Sequence, residues 1–275
     1  MAIERNEHKA LSPALARGRG LGEGGSPSRS TMQNPKPPSP QPSPPNDETI
    51  WGRGGFHRLL TWTSPSYPTG AFSYSHGLEW AVETGDVRDV ATLIDYIDAV
   101  LARGGGWIDA VLFARAYECA HDAAAFDEIA DLAAAFRGSA ETALESHQQG
   151  AAFLAVTRKA WPHAQLDAFV ERRGDAPVAH SIAMALACAA HGIALDSALL
   201  AWLHATAANL VSAGVRLIPL GQTDGQIATA RLASRIAAIA ADALHTPLDD
   251  LGTAAPLLEL CSIHHETQYT RLFRS

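Results

Sequence analysis

The amino-acid sequence predicts an all-α protein: a single multi-helix bundle domain over residues 51–275, preceded by a disordered tail over residues 1–50. Three observations carry that prediction. From Val87 onward apolar residues recur at the three-to-four spacing of helix faces, alanine is abundant throughout, and no convincing run alternates apolar and polar residues as a half-buried strand would. With 47% hydrophobic residues in 275, the chain can bury a sizeable core. No shift of composition divides the helical body, and no repeat of fixed period runs through it.

Taken in order, residues 1–50 hold nine of the sixteen prolines, many serines and a glycine cluster, with too few large apolar residues to offset the entropy of ordering. The run PKPPSPQPSPP favours extended polyproline II, and the glycine cluster has neither the preceding strand nor the following helix of a phosphate loop. Residues 64–80, SPSYPTGAFSYSHGLEW, form a defined bend that passes into an amphipathic helix. Pro65 and Pro68 fix φ, Gly70 permits a turn, and Tyr67, Phe72 and Tyr74 bring large rings that need a surface to pack on. Leu93, Ile94, Ile97, Val100 and Leu101 make one face of a long helix that meets Gly104, Gly105 and Gly106. Each of these glycines costs a helix about 1 kcal/mol relative to alanine, so a break is expected there. Helical spacing resumes over residues 107–120 and continues over 125–137, 140–159, 166–172, 178–190, 197–217, 226–244 and 253–267. Gly138, Gly174, Gly192, Gly252, Pro162 and Pro177 mark the interruptions. Asp196 is the expected N-cap of the helix after it, and Thr223 with Gln226 has the spacing of a capping box.

A formal charge of −8 with scattered Lys and Arg argues against nucleic acid and anionic membrane as partners, since both need clustered basic charge. Cys119, Cys188 and Cys261 are too few and too far apart for a disulfide framework. No secretory signal pattern is evident, so a cytoplasmic location is expected. Two long apolar stretches carry His180 and His191, and His204, Asn209 and Arg216, which suits buried helices better than membrane spans. The twelve histidines form no HExxH or HxH pattern, and the neighbours His264 and His265 project about 100° apart on a helix. There is no GxSxG elbow and no P-loop, and Ser75 beside His76 is only a sequence neighbour. No catalytic residue, metal ligand or cofactor is therefore expected.

Three stretches resemble the UreF family of urease accessory proteins. The first is the bend itself, with Leu59 and Leu60 before it and Gly77, Leu78 and Glu79 closing it. The second is PLGQTDGQ within residues 215–226, and the third is the ending Arg271, Leu272, Phe273, Arg274, Ser275. Glu145, Ser146, Gly150 and the Pro177–Val178 helix start are also similar, while His76 and Ala213–Gly214 are mild departures. The resemblance covers about residues 56–275. It implies a chaperone without a catalytic centre, a homodimer that joins UreD (UreH in some systems) to the GTPase UreG and delivers nickel to apo-urease. The partner-binding residues it implies are Tyr67, Pro68, Gly70, Phe72, Tyr74 and Glu79 in the bend, Gln222, Thr223, Asp224 and Gln226 at the helix entrance, and Arg271, Leu272 and Phe273 in a tail that orders against a partner. The residues also admit an all-α enzyme or carrier whose small ligand sits where residues 64–74 and 222–224 converge. An enclosed pocket lined by both loops would favour that alternative.

Overall fold

The computed structural model describes residues 53–252 and 254–275, so the expected tail over residues 1–50 lies outside the described chain. Among the described residues every regular element is helical. Two short helices come first, α1 (Arg53–Trp62) and α2 (Leu78–Glu83), with a 3₁₀ turn at Ala71–Ser73 between them. The body follows as α3 (Val90–Arg103), α4 (Gly105–Glu118), α5 (Ala123–Ala135), α6 (Ala140–Ala160), α7 (Ala164–Arg173), α8 (His180–Ala190), α9 (Leu195–Leu217) and α10 (Gln222–His245). A 3₁₀ turn at Leu248–Asp250 then leads to α11 (Pro256–His265).

Local chemistry sets most boundaries. Asp89 and Thr92 form a reciprocal capping box at the start of α3, Ser139 and Thr142 do the same for α6, and the Asp122 carboxylate accepts the first free N–H groups of α5. The glycine run breaks the chain as expected, with α3 ending at Arg103 and α4 starting at Gly105. Gly106 is needed for the close approach, because a Cβ there would lie 2.8 Å from the Val100 carbonyl oxygen.

Two expected caps are corrected. Helix α9 starts at Leu195 on Ala194, so Asp196 lies inside the first turn, where its charge still suits the positive end of the helix. Helix α10 starts at Gln222, four residues earlier than expected, because the Asp224 carboxylate reaches back to accept the Gly221 N–H at 2.9 Å. Asp224, not Thr223, is the capping side chain. Helix α2 is the amphipathic helix into which the bend is expected to pass, whereas α1 is not among the expected helices.

Helix α8 is the centre of the bundle, with Ile182, Ala183, Ala185, Ala187 and Cys188 fully buried. It packs on α4, α6, α7 and α9, while α10 lies across α9, α3 and α4. Small residues let these helices approach closely: a Cβ on Gly150 of α6 would lie 2.1 Å from the Val178 carbonyl oxygen, and one on Gly214 of α9 would lie 2.5 Å from Leu93. By length and hydropathy α9 is the one helix among the described residues able to cross a membrane, yet Trp202, Leu203, Leu210 and Val211 bury half of it against its neighbours. Most of its large apolar residues face the core, with Leu200 exposed.

A largely buried ion pair ties α4 to the chain just beyond α5. Arg137, just beyond α5, donates two parallel 2.8 Å bonds to Asp109 of α4, and the Ser181 hydroxyl of α8 donates a third at 2.7 Å. Burial alone would push the Asp109 carboxyl up, but the Arg137 charge and these three bonds outweigh it and hold the group below its ordinary range.

Two measurements test this packing. Gly150→Ala should lower the free energy of unfolding by about 1–3 kcal/mol through overpacking against Val178; an unchanged denaturant midpoint would show that α6 and α8 have room to spare. A depressed Asp109 contributes stability that is full above the ordinary aspartate range and is lost as pH falls through its folded value. The stability gap between the unmodified chain and Asp109→Asn should therefore narrow on acidification, and a gap of constant size would contradict the pairing.

Candidate functional site

The bend over residues 64–79 is held in shape by backbone geometry that few residues tolerate. Gly70 and Gly77 are left-handed, with φ of 79° and 77°, and His76 between loop and helix is left-handed at 56° without being glycine. The Tyr96 hydroxyl donates to the His76 carbonyl at 2.9 Å, and Asn209 Nδ2 donates to the Ala71 carbonyl at 3.0 Å. So α3 and α9 grip the bend from two sides.

The grip shapes a receptor, and its occupant is the end of the same chain. Ser75 N–H donates to the Ser275 carbonyl oxygen at 2.7 Å, the Ser75 hydroxyl donates to the same oxygen, and Arg274 N–H donates to the Ser73 carbonyl at 2.8 Å. The Ser275 hydroxyl donates to Glu145 at 2.8 Å. Glu145 also faces His76 Nδ1 at 3.6 Å; burial alone would lower that imidazole, but the carboxylate outweighs it and holds the ring above its ordinary range. Phe273 is buried, which at roughly 1.5–3 kcal/mol is the largest apolar contribution of the tail.

The 215–226 stretch joins the bend and the tail through Arg216. Its guanidinium carbon lies 3.7 Å from the Phe72 ring centroid and 4.3 Å from that of Phe273, and Nη1 donates to the Phe72 carbonyl at 2.9 Å. Residues from the bend, from the end of α9 and from the tail thus form one sandwich.

Beneath it lies a buried charged line. Glu79 of α2 accepts the Leu272 N–H at 2.6 Å and the Phe273 N–H at 2.9 Å, and faces His265 Nε2 at 3.0 Å. His265 Nδ1 faces Glu141 of α6 at 2.7 Å, and the other Glu141 oxygen accepts from Arg271 at 2.8 Å. Glu141 stands in the first turn of α6, where the helix dipole favours a carboxylate. Helix α11 reaches this line because Gly77 has no side chain: a Cβ there would lie 2.8 Å from the Ser262 nitrogen.

The expected site residues separate into two groups. Tyr67, Tyr74, Glu79 and Phe273 are buried in contacts within the chain, with the Tyr67 hydroxyl bonded to Thr157 at 2.8 Å and that of Tyr74 donating to Gln148. Pro68, Gly70, Phe72, Gln222, Thr223, Gln226, Arg271 and Leu272 are exposed, and Asp224 is half-buried as the cap of α10. The tail, expected to order against a partner, is tied down on its own chain. Arg216, Glu141 and His265 were missed as site residues. For Arg216 a signal existed, because it stands inside the 215–226 stretch.

A cavity of about 330 Å³ opens beside the bend, lined by Tyr67, Thr69, Phe72, Glu145 and His180, where burial pushes the His180 imidazole down to about 4. Gln222, Thr223 and Asp224 do not line it, so this cavity draws on the bend and not on the entrance of α10. Among the described residues no three His, Cys, Asp or Glu side chains stand in an arrangement that could hold a metal ion.

Gly77→Ala combines a strained φ with a clash against α11, so it should loosen α11 and the tail while the bundle persists. Hydrogen exchange should show protection lost over residues 256–275 and kept in α8; unchanged protection over 256–275 would show that the close approach is not required.

The UreF family model matches residues 87–233. A urease accessory protein UreF of Granulibacter bethesdensis is 52% identical over 226 residues, covering 82% of this chain and 95% of the relative. Proteins of the same name from Rhodopseudomonas palustris and Bradyrhizobium diazoefficiens are 50% and 48% identical over 220 and 221 residues, covering 79% and 80% of this chain and 91% of each relative. With the family model matched over more than half of its length and its sequence aligned over nearly the whole of these relatives, the chain belongs to the UreF family.

Proposed function

We propose that the chain serves urease maturation as a non-catalytic scaffold, a cytoplasmic homodimer that joins UreD (UreH in some systems) to the GTPase UreG while nickel is inserted into apo-urease. Family membership supports the urease role, and one observation supports docking as its means. The locked bend and tail carry large apolar side chains that the chain does not cover: Phe72 is 62% exposed, Leu272 65% and Tyr269 fully. Apolar anchors on a fixed platform, with Arg271 and Arg274 beside them, are the composition of a protein-binding patch. The exposed Gln222, Thr223 and Gln226 at the entrance of α10 offer polar contacts to a second partner. A small-ligand carrier is less well supported, since the cavity draws on one loop alone.

Co-purification with UreD and UreG from the same source tests the proposal. Leu272→Ala and Tyr269→Ala should each weaken capture of UreD by about tenfold or more with helicity and melting temperature unchanged, as expected for exposed anchors. Phe273→Ala, a buried control, should lower stability as well. Normal capture by both exposed variants would overturn this assignment of the surface.

A further inference from the structure

We propose that Glu79, His265 and Glu141 form a proton-operated latch that holds the tail closed at low pH and releases it as pH rises. His265 is fully buried, and both of its ring nitrogens face carboxylate oxygens, at 2.7 Å and 3.0 Å. A carboxylate without a proton can only accept, and a neutral imidazole has a single N–H to donate. Satisfying both lines therefore takes two protons shared among the three groups. With two present, the carboxylates of Glu79 and Glu141 are balanced by the imidazolium and by Arg271, which is bonded to Glu141 at 2.8 Å.

Removing one proton leaves a ring lone pair against a carboxylate oxygen in a site closed to solvent, with one negative charge in excess. That arrangement costs far more inside the protein than in water. One carboxylate has to move away, and each of the two pins the tail: Glu79 through the Leu272 and Phe273 N–H groups, Glu141 through Arg271. The closed state binds a proton that the open state does not hold, so closing weakens as pH rises.

The other charged groups near the line are already engaged. Glu266 of the same segment accepts the Ala140 N–H at 3.2 Å, and His264 stacks on Trp80 with ring centroids 5.1 Å apart. Glu145 and His76 face Ser275 at the far end of the tail.

The isosteric variant Glu141→Gln separates this latch from a merely structural cluster. Its amide oxygen can accept from Arg271 while its amide nitrogen donates to Nδ1 of a neutral ring, whose Nε2–H then donates to Glu79. One proton on the ring suffices. Hydrogen exchange of residues 271–275 in the full chain, corrected for base catalysis, reads the latch through the Leu272 and Phe273 amides. Between about pH 6 and about pH 9 the unmodified chain should lose protection by about tenfold or more, Glu141→Gln should stay protected at both, and His265→Gln should be open at both. Protection that does not change with pH in the unmodified chain overturns the latch whether or not either variant folds, and so does a pH response of Glu141→Gln equal to that of the unmodified chain.

Discussion

A carboxylate with almost no access to water has to be met by donors, and Glu79 is met by three: the amides of Leu272 and Phe273 and the ring of His265. Those donors come from the last helix and the end of the chain, while Glu79 itself opens α2. Satisfying one charge therefore fixes the mutual positions of the bend, α11 and the tail. The left-handed residues at 76 and 77 belong to the same constraint, because they turn the chain so that Glu79 enters α2 pointing at α11, and the glycine lets α11 close in.

The rest of the bundle is organised by smallness. Alanine fills the buried faces of α8, and Gly150, Gly214 and Gly225 stand where a Cβ would meet a neighbouring backbone or side chain at 3.0 Å or less. Close helix crossings make a rigid frame from modest side chains. That rigidity matters at α9, which holds the bend through Asn209 and Arg216 while its other faces are packed on α10, α3, α4 and α8. The bend has turn hydrogen bonds of its own, such as Tyr67 N–H to the Ser64 carbonyl and Ser73 N–H to the Gly70 carbonyl, and the frame under it fixes where those turns sit.

The helices were legible because each long one repeats its apolar spacing over several turns and stops at glycine or proline. Element ends were less so: Asp196 and Thr223 have the chemistry of caps, but the helices begin one or more residues away from where those side chains would serve, at points set by packing and by the Asp224 carboxylate. The three motif stretches were visible singly, and their convergence was not. Ser75 and Ser275, Glu141 and His265, and Phe72 and Arg216 are pairs far apart in the chain, and a contact of that kind leaves no periodic trace in the sequence. In the sequence His265 shows only a neighbour, His264, with which it cannot readily share an ion, and that gives it no site role. The two carboxylates that give it a role come from α2 and α6.

Helix α11 reverses the usual division of labour between faces. Ser262 and His265 are its fully buried residues, Leu258 and Cys261 are half-buried against the core, and Leu257, Leu260 and Ile263 lie exposed. A helix seated by an apolar stripe is held by many small, non-directional contacts that fade gradually as it shifts. Helix α11 adds to the half-buried Leu258 and Cys261 the hydrogen bonds of Ser262, His265 and Glu266, which are few and directional, and the loss of one partner atom removes a large fraction of that polar hold at once. The same reasoning covers the tail, where five residues carry a single buried ring and the remaining attachment is polar. Attachment of this kind gives α11 and the tail a defined place set by directional bonds, whereas the frame of α3 to α10 is set by close packing.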